Sequence, residues 1–132
     1  MILVDTSVLI DVFKGRRSEA ANRFNQVVSD NMPFGINVYI YEEILQGAAT
    51  EKDYRQLKRY LDTQVFYELQ DGLESYARAA RIYFDCRRAG YTVSGTIDCL
   101  VAETALENNL FLLHNDEDFD RIGKVVKNLK IY

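Results

Sequence analysis

The stretch Ile2-Leu3-Val4-Asp5-Thr6-Ser7-Val8-Leu9-Ile10 decides how the chain is read. Its first three residues are apolar without alternation, the pattern of a strand buried on both faces, and an acid follows at once. Thr6 or Ser7 supplies a cap for a short helix carrying Val8, Leu9, Val12 and Phe13 on one side, and Gly15 supplies its stop. Ser18 opens a second helix with Ala21, Phe24, Val27 and Val28 at helical spacing, which Pro33 ends before a second strand at Phe34 to Ile36.

The same alternation continues downstream. A helix from about Asn37 to Gly47 places Tyr41, Ile44, Leu45 and Ala48 on one face. Thr50 and Asp53 form a capping pattern for a helix with Tyr54, Leu57 and Leu61 on its buried side. Val65 to Tyr67 is a third strand. Asp71 opens the longest helix, in which Leu73, Tyr76, Ala77, Ala80, Tyr83 and Phe84 keep helical spacing up to Gly90. A helix from about Thr96 to Asn108 turns Ile97, Leu100, Val101, Thr104 and Ala105 inward; Phe111 to Leu113 is a fourth strand and Val125 to Ile131 an edge strand. Strands separated by helices require crossover connections, so the class is α/β with a mainly parallel sheet.

Composition narrows the function. At 132 residues, 48% hydrophobic and 27% charged, the chain matches one soluble domain. No apolar run approaches the roughly 20 residues that span a bilayer, and the N-terminus lacks the basic and apolar regions of a signal peptide, so a cytoplasmic protein with no membrane partner is expected. Twenty acids against sixteen bases give a net charge of −4, which excludes nucleic-acid binding by bulk charge and leaves only a local contact. Cys86 and Cys99 lack metal or redox spacing and read as buried thiols.

Ligands of an open parallel sheet bind beyond the carboxyl ends of its strands. Asp5 follows the first strand and Asp116 follows the fourth after a His114-Asn115 step. If those strands are neighbours, both carboxylates enter one crevice, where they repel unless a cation or shared proton intervenes. Each also suits a plain helix cap. Asp98 falls in the first turn of its helix, where an acid complements the macrodipole. Glu42 and Glu43 lie about 100° apart on the wheel, and periodicity singles out neither. Carboxylates without His or Cys company form a ligand set for Mg²⁺ or Mn²⁺ rather than zinc. No dinucleotide or P-loop fingerprint occurs, and the lone His114 has no nucleophile beside it. Carboxylate-held divalent ions activate water and neutralise phosphodiester charge, which is nuclease chemistry.

Four stretches together resemble the PIN domain, and within it the VapC toxins of toxin–antitoxin pairs. Leu3-Val4-Asp5-Thr6-Ser7-Val8-Leu9-Ile10 resembles the first motif of that family and Glu43-Ile44-Leu45-Gln46-Gly47 the second, which selects Glu43 over Glu42. Ile97-Asp98-Cys99-Leu100-Val101-Ala102 resembles the third, and Leu112-Leu113-His114-Asn115-Asp116-Glu117-Asp118-Phe119 the fourth. They fall in the family's order and span nearly the whole chain. His114 stands where Ser or Thr is commoner, and Cys99 replaces a small or polar residue.

The resemblance implies one PIN domain over residues 1–132, a three-layer α/β/α sandwich. It implies a Mg²⁺-dependent endoribonuclease, with Mn²⁺ as the alternative ion. Asp5, Glu43, Asp98 and Asp116 form the acidic quartet, Asp118 is auxiliary, and Thr6 and Ser7 position water or phosphate. Asp5, Asp98 and Asp116 hold metal directly or through water, with Glu43 helping. Implied partners are structured RNA, commonly transfer RNA, a VapB-like antitoxin whose tail occupies the cleft, and a second copy of the chain; Tyr54, Tyr60, Tyr76 and Tyr83 are candidates for the dimer surface. Operator DNA is reached only through the antitoxin. A housekeeping RNA-processing PIN nuclease and a catalytically silent PIN-like module are the competing expectations. A haloacid-dehalogenase phosphatase needs a second acid where Ser7 stands, and a receiver domain needs paired acids near the first strand.

Overall fold

A computed structural model describes residues 1–132. Its five strands are β1 (Ile2–Val4), β2 (Phe34–Ile36), β3 (Val65–Phe66), β4 (Phe111–Leu113) and β5 (Lys130–Ile131). The helices are α1 (Thr6–Phe13), α2 (Glu19–Ser29), α3 (Val38–Gln46), α4 (Glu51–Leu61), α5 (Leu73–Arg88), α6 (Thr96–Glu107) and α7 (Glu117–Val125).

All strand pairs are parallel, in the order β3-β2-β1-β4-β5. The chain therefore moves outward from β1 to β3, crosses back over β1, and continues to β5. With right-handed crossovers, α1 to α4 cover one face and α5 to α7 the other, which makes three layers. The contacts agree: α1 meets α2 and α3, α3 meets α4, and α5, α6 and α7 meet one another. Ile2, Leu3, Val4, Leu112 and Leu113 are almost wholly buried, so the unbroken apolar runs mark strands covered on both sides.

The reversal of strand order falls between β1 and β4, where Leu3 pairs with Leu112 and Val4 with Leu113. Residues after these two strands enter one crevice at the switch point. That is where Asp5 and Asp116 stand.

Four expectations are corrected. Asp5, not Thr6 or Ser7, caps α1, because its carboxylate accepts from the Ser7 amide. The stripe Leu73, Tyr76, Ala80, Tyr83 and Phe84 on α5 faces outward, with Leu73 83% exposed, while Ser75, Ala79, Ile82 and Cys86 face inward. Small residues let α5 approach α6 closely, and Ser75 is tolerated inside because its hydroxyl donates to Glu107. Tyr54 of α4 and Val28 of α2 are exposed. The edge strand shrinks to Lys130–Ile131, since α7 runs on to Val125 with Phe119 and Ile122 in the core. No helix is long and apolar enough to cross a membrane.

Candidate active site

Four segments deliver the acids. Asp5 ends β1 and Asp116 follows β4; each uses one oxygen to cap the next helix, Asp5 for the Ser7 amide at 3.0 Å and Asp116 for the Asp118 amide at 2.9 Å. Capping fixes both carboxylates at the sheet edge and leaves their other oxygens for the crevice. Asp98 enters from the first turn of α6 and Glu43 from the middle of α3.

The tightest group is Asp98, Asp116 and Asp118, which each offer a carboxylate oxygen such that all three lie within 4.8 Å of one another. Asp118 thus shares one group with Asp98 and Asp116, and Asp5 and Glu43 are not part of it. Burial strips water from Asp98, and Asp5, Asp116 and Asp118 add negative charge around it, pushing its carboxyl up to about 8. Asp5 is displaced upward as well, chiefly by burial, against hydrogen bonds from Ser7 and with a further upward push from Glu43. Asp118 behaves oppositely. Burial opposes its charge, yet the Ser94 hydroxyl and amide, Asp98 and Arg121 hold it below the usual carboxylate range.

Hydroxyls tie the group together. Thr6 Oγ1 donates to Glu43 Oε1 at 2.9 Å, which swings Glu43 rather than Glu42 toward β1. Ser7 Oγ donates to Asp5 Oδ2 at 2.6 Å and accepts from the Asn115 amide at 2.9 Å. The Asn115 side chain in turn donates to Asp11 at 2.8 Å, latching the β4–α7 turn onto α1. His114 is buried, which lowers its pKa against the pull of Asp120, Asp5 and Asp116. Its Nδ1 accepts from the Asp116 amide at 3.2 Å, so it braces that turn.

Ser94, Arg121, Asp11 and Asn115 have no periodicity or spacing that marks their roles. Their parts depend on contacts across 24 to 104 positions or on a side chain turned back along α7.

A model of the family described as PIN domain matches residues 2–125. The chain is also 32% identical over 126 residues to the VapC ribonuclease Mb1587 of Mycobacterium bovis, a match covering 95% of this chain and 93% of that one. The chain belongs to the PIN-domain family, in its VapC branch. This PIN domain has the fold of VapBC2 from Rickettsia felis, solved bound to a DNA fragment from their promoter, with a TM-score of 0.74 at 18% identity over 100% of this chain and 98% of that one. VapBC-1 from nontypeable Haemophilus influenzae matches with a TM-score of 0.68 at 24% identity, over 100% and 97% of the two chains. Both likenesses bear on the fold of the PIN domain.

The donor set of this PIN domain suits a hard divalent cation. Three carboxylates converge without a competing nitrogen or sulfur ligand, and their mutual repulsion is what a cation would relieve.

Proposed function

We propose that this PIN domain, residues 1–132 acting as one unit, is a Mg²⁺-dependent endoribonuclease that cleaves phosphodiester bonds of transfer RNA or other structured RNA. The observation that carries the proposal is the convergence of Asp98 from α6 with Asp116 and Asp118 from the start of α7, with Asp98 pushed up to about 8 by burial and by the charges of Asp5, Asp116 and Asp118. Asp5, Glu43, Asp98 and Asp116 would hold the ion, and Asp118 lies within reach. A bound Mg²⁺, or Mn²⁺ in its place, supplies water activation and neutralises charge on the phosphodiester.

The chain's own groups do the positioning. Ser7 fixes one oxygen of Asp5, and Thr6 holds Glu43 where it can orient the attacking water. Ser94 and Arg121 keep Asp118 ionised.

The VapC relatives support a biological setting for this reading. The chain acts in the cytoplasm as the toxin of a VapBC-type pair, forms a homodimer, and is silenced by a VapB-like antitoxin through which alone it reaches operator DNA.

The test incubates purified protein with bulk transfer RNA, with Mg²⁺ or with chelator, beside folded Asp5→Asn and Asp98→Asn proteins. Metal-dependent cleavage lost in both variants is the expected result. Failure of folded wild-type protein to cut transfer or ribosomal RNA with Mg²⁺ or Mn²⁺ overturns it and favours a silent PIN-like module.

A further inference from the structure

At the carboxyl ends of β2 and β3 lies a cavity of about 210 Å³ that the proposed chemistry leaves unused. Tyr39 and Tyr67 line it together with Leu69 and Glu68, and Tyr76, also a candidate for the dimer surface, stands at its rim. Its floor is the buried bond from the Asn37 side chain to Thr104 Oγ1 at 3.1 Å. We propose that this cavity is a nucleobase slot, which takes the unstacked base of a nucleotide near the phosphodiester to be cut; the proposal rests on the ribonuclease reading above.

Position is the first argument. The acids stand at the ends of β1 and β4 and the slot at the ends of β2 and β3, on the same edge of the sheet. Two strand spacings separate their centres, roughly 10 Å. Helix α3 spans the gap: Tyr39 and Glu43 lie one turn apart on one face, about 6 Å along the axis. Glu43 is the residue bonded to Thr6 beside Asp5.

Chemistry is the second. No Lys or Arg lines the cavity, so it offers nothing to a phosphate. Tyrosine rings offer π faces to a base, and the Glu68 carboxylate can accept from ring N–H or exocyclic amino groups. Tyr39 donates its hydroxyl to that of Tyr76 at 2.9 Å, and burial followed by this bond pushes the Tyr39 phenol up to about 12. A phenol is neutral in the range where RNA binds, and the bond holds the Tyr39 ring in place.

Pre-organisation is the third. A Cβ on Gly35 would clash with the Val65 carbonyl and lie 2.7 Å from the Tyr67 ring. The missing side chain lets that ring rest against β2. A slot built this way holds its aromatic wall before any ligand arrives, which reduces the ordering cost of binding.

The test measures cleavage of short RNAs randomised around the cut site, with Mg²⁺, for wild type, Tyr67→Ala, Tyr67→Phe, Tyr39→Leu and Tyr60→Ala, each shown to be folded. Tyr60 lies in a separate groove between α1, α3 and α4 and serves as the control. Tyr67→Ala and Tyr39→Leu should raise KM by about 5- to 100-fold, leave kcat within about a factor of three, and flatten base preference at one position flanking the cut. Tyr67→Phe keeps its ring and should retain the preference, as should Tyr60→Ala. Folded Tyr67→Ala and Tyr39→Leu proteins with wild-type KM and preference overturn the slot while leaving the nuclease standing. Wild-type protein that cuts no RNA overturns both.

Discussion

Replacing Asp98 with asparagine is expected to stabilise the metal-free protein and abolish its response to divalent ions. Burial, then the charges of Asp5, Asp116 and Asp118, hold this carboxyl up to about 8, whereas in the unfolded chain it ionises near 3.8. Between those values the folded protein retains a proton that the unfolded chain has released. Stability from the group is therefore complete below about 3.8 and drains away as pH rises to about 8. In a rigid, dry site the whole interval is worth ~6 kcal/mol; partial exposure and relaxation reduce this to about 1–3 kcal/mol. Asparagine carries no such penalty. In chelator at pH 8 the variant should melt about 3–10 °C above wild type, and at pH 4 the two should nearly coincide. Millimolar Mg²⁺ should then raise the wild-type midpoint and leave the variant where it was. Circular-dichroism melts at both pH values, with and without Mg²⁺, read all of this. A variant that melts below wild type in chelator at pH 8 would show instead that Asp98 is an acid that simply complements the α6 macrodipole.

Asp118→Ala leaves the Ser94 amide without its acceptor and Arg121 without its buried partner, and should destabilise the protein by about 2 kcal/mol in urea titrations. Because Asp118 is held below the usual range, the wild-type contribution is present above about 3.8 and disappears as pH falls through the folded value. Glu103 runs the other way: burial, then sharing with Glu107, raises it to about 7 against the Arg78 ion pair. Its stabilisation is complete below 4.5 and lost by about pH 7, so Glu103→Gln should match wild type at pH 5 and exceed it by about 1–2 kcal/mol at pH 8 in paired melts. Thr6→Val keeps the side-chain shape but deletes the hydroxyl that holds Glu43, and should lower the cleavage rate by about 5- to 30-fold with little change in melting temperature.

Part of the fold and of the site is legible in the sequence itself. Ile2 to Val4 and Phe111 to Leu113 announce strands because a strand covered on both sides has no polar face to alternate. Their adjacency follows from the topology, and with it the meeting of Asp5 and Asp116. The face of α5 was not legible, since that helix carries two apolar stripes and the smaller residues, Ala79 and Ser75, form the packed one. Periodicity marks a stripe without saying what covers it. Glu43 and Glu42 were equivalent on the wheel; the family motif separated them, and the Thr6 bond gives the physical reason. Ser94 lies in a loop without pattern, and only the folded chain brings it to Asp118.

The proposed function requires the acids at the β1–β4 switch point to form one divalent-metal centre. Anomalous scattering at the manganese edge from crystals soaked in Mn²⁺ tests it most directly. The expected result is a peak coordinated by Asp98 and Asp116, with Asp5 and Asp118 in contact directly or through water, and no such peak in Asp98→Asn crystals. Ordered manganese elsewhere with this crevice vacant, or an undiminished peak in the variant, would contradict it.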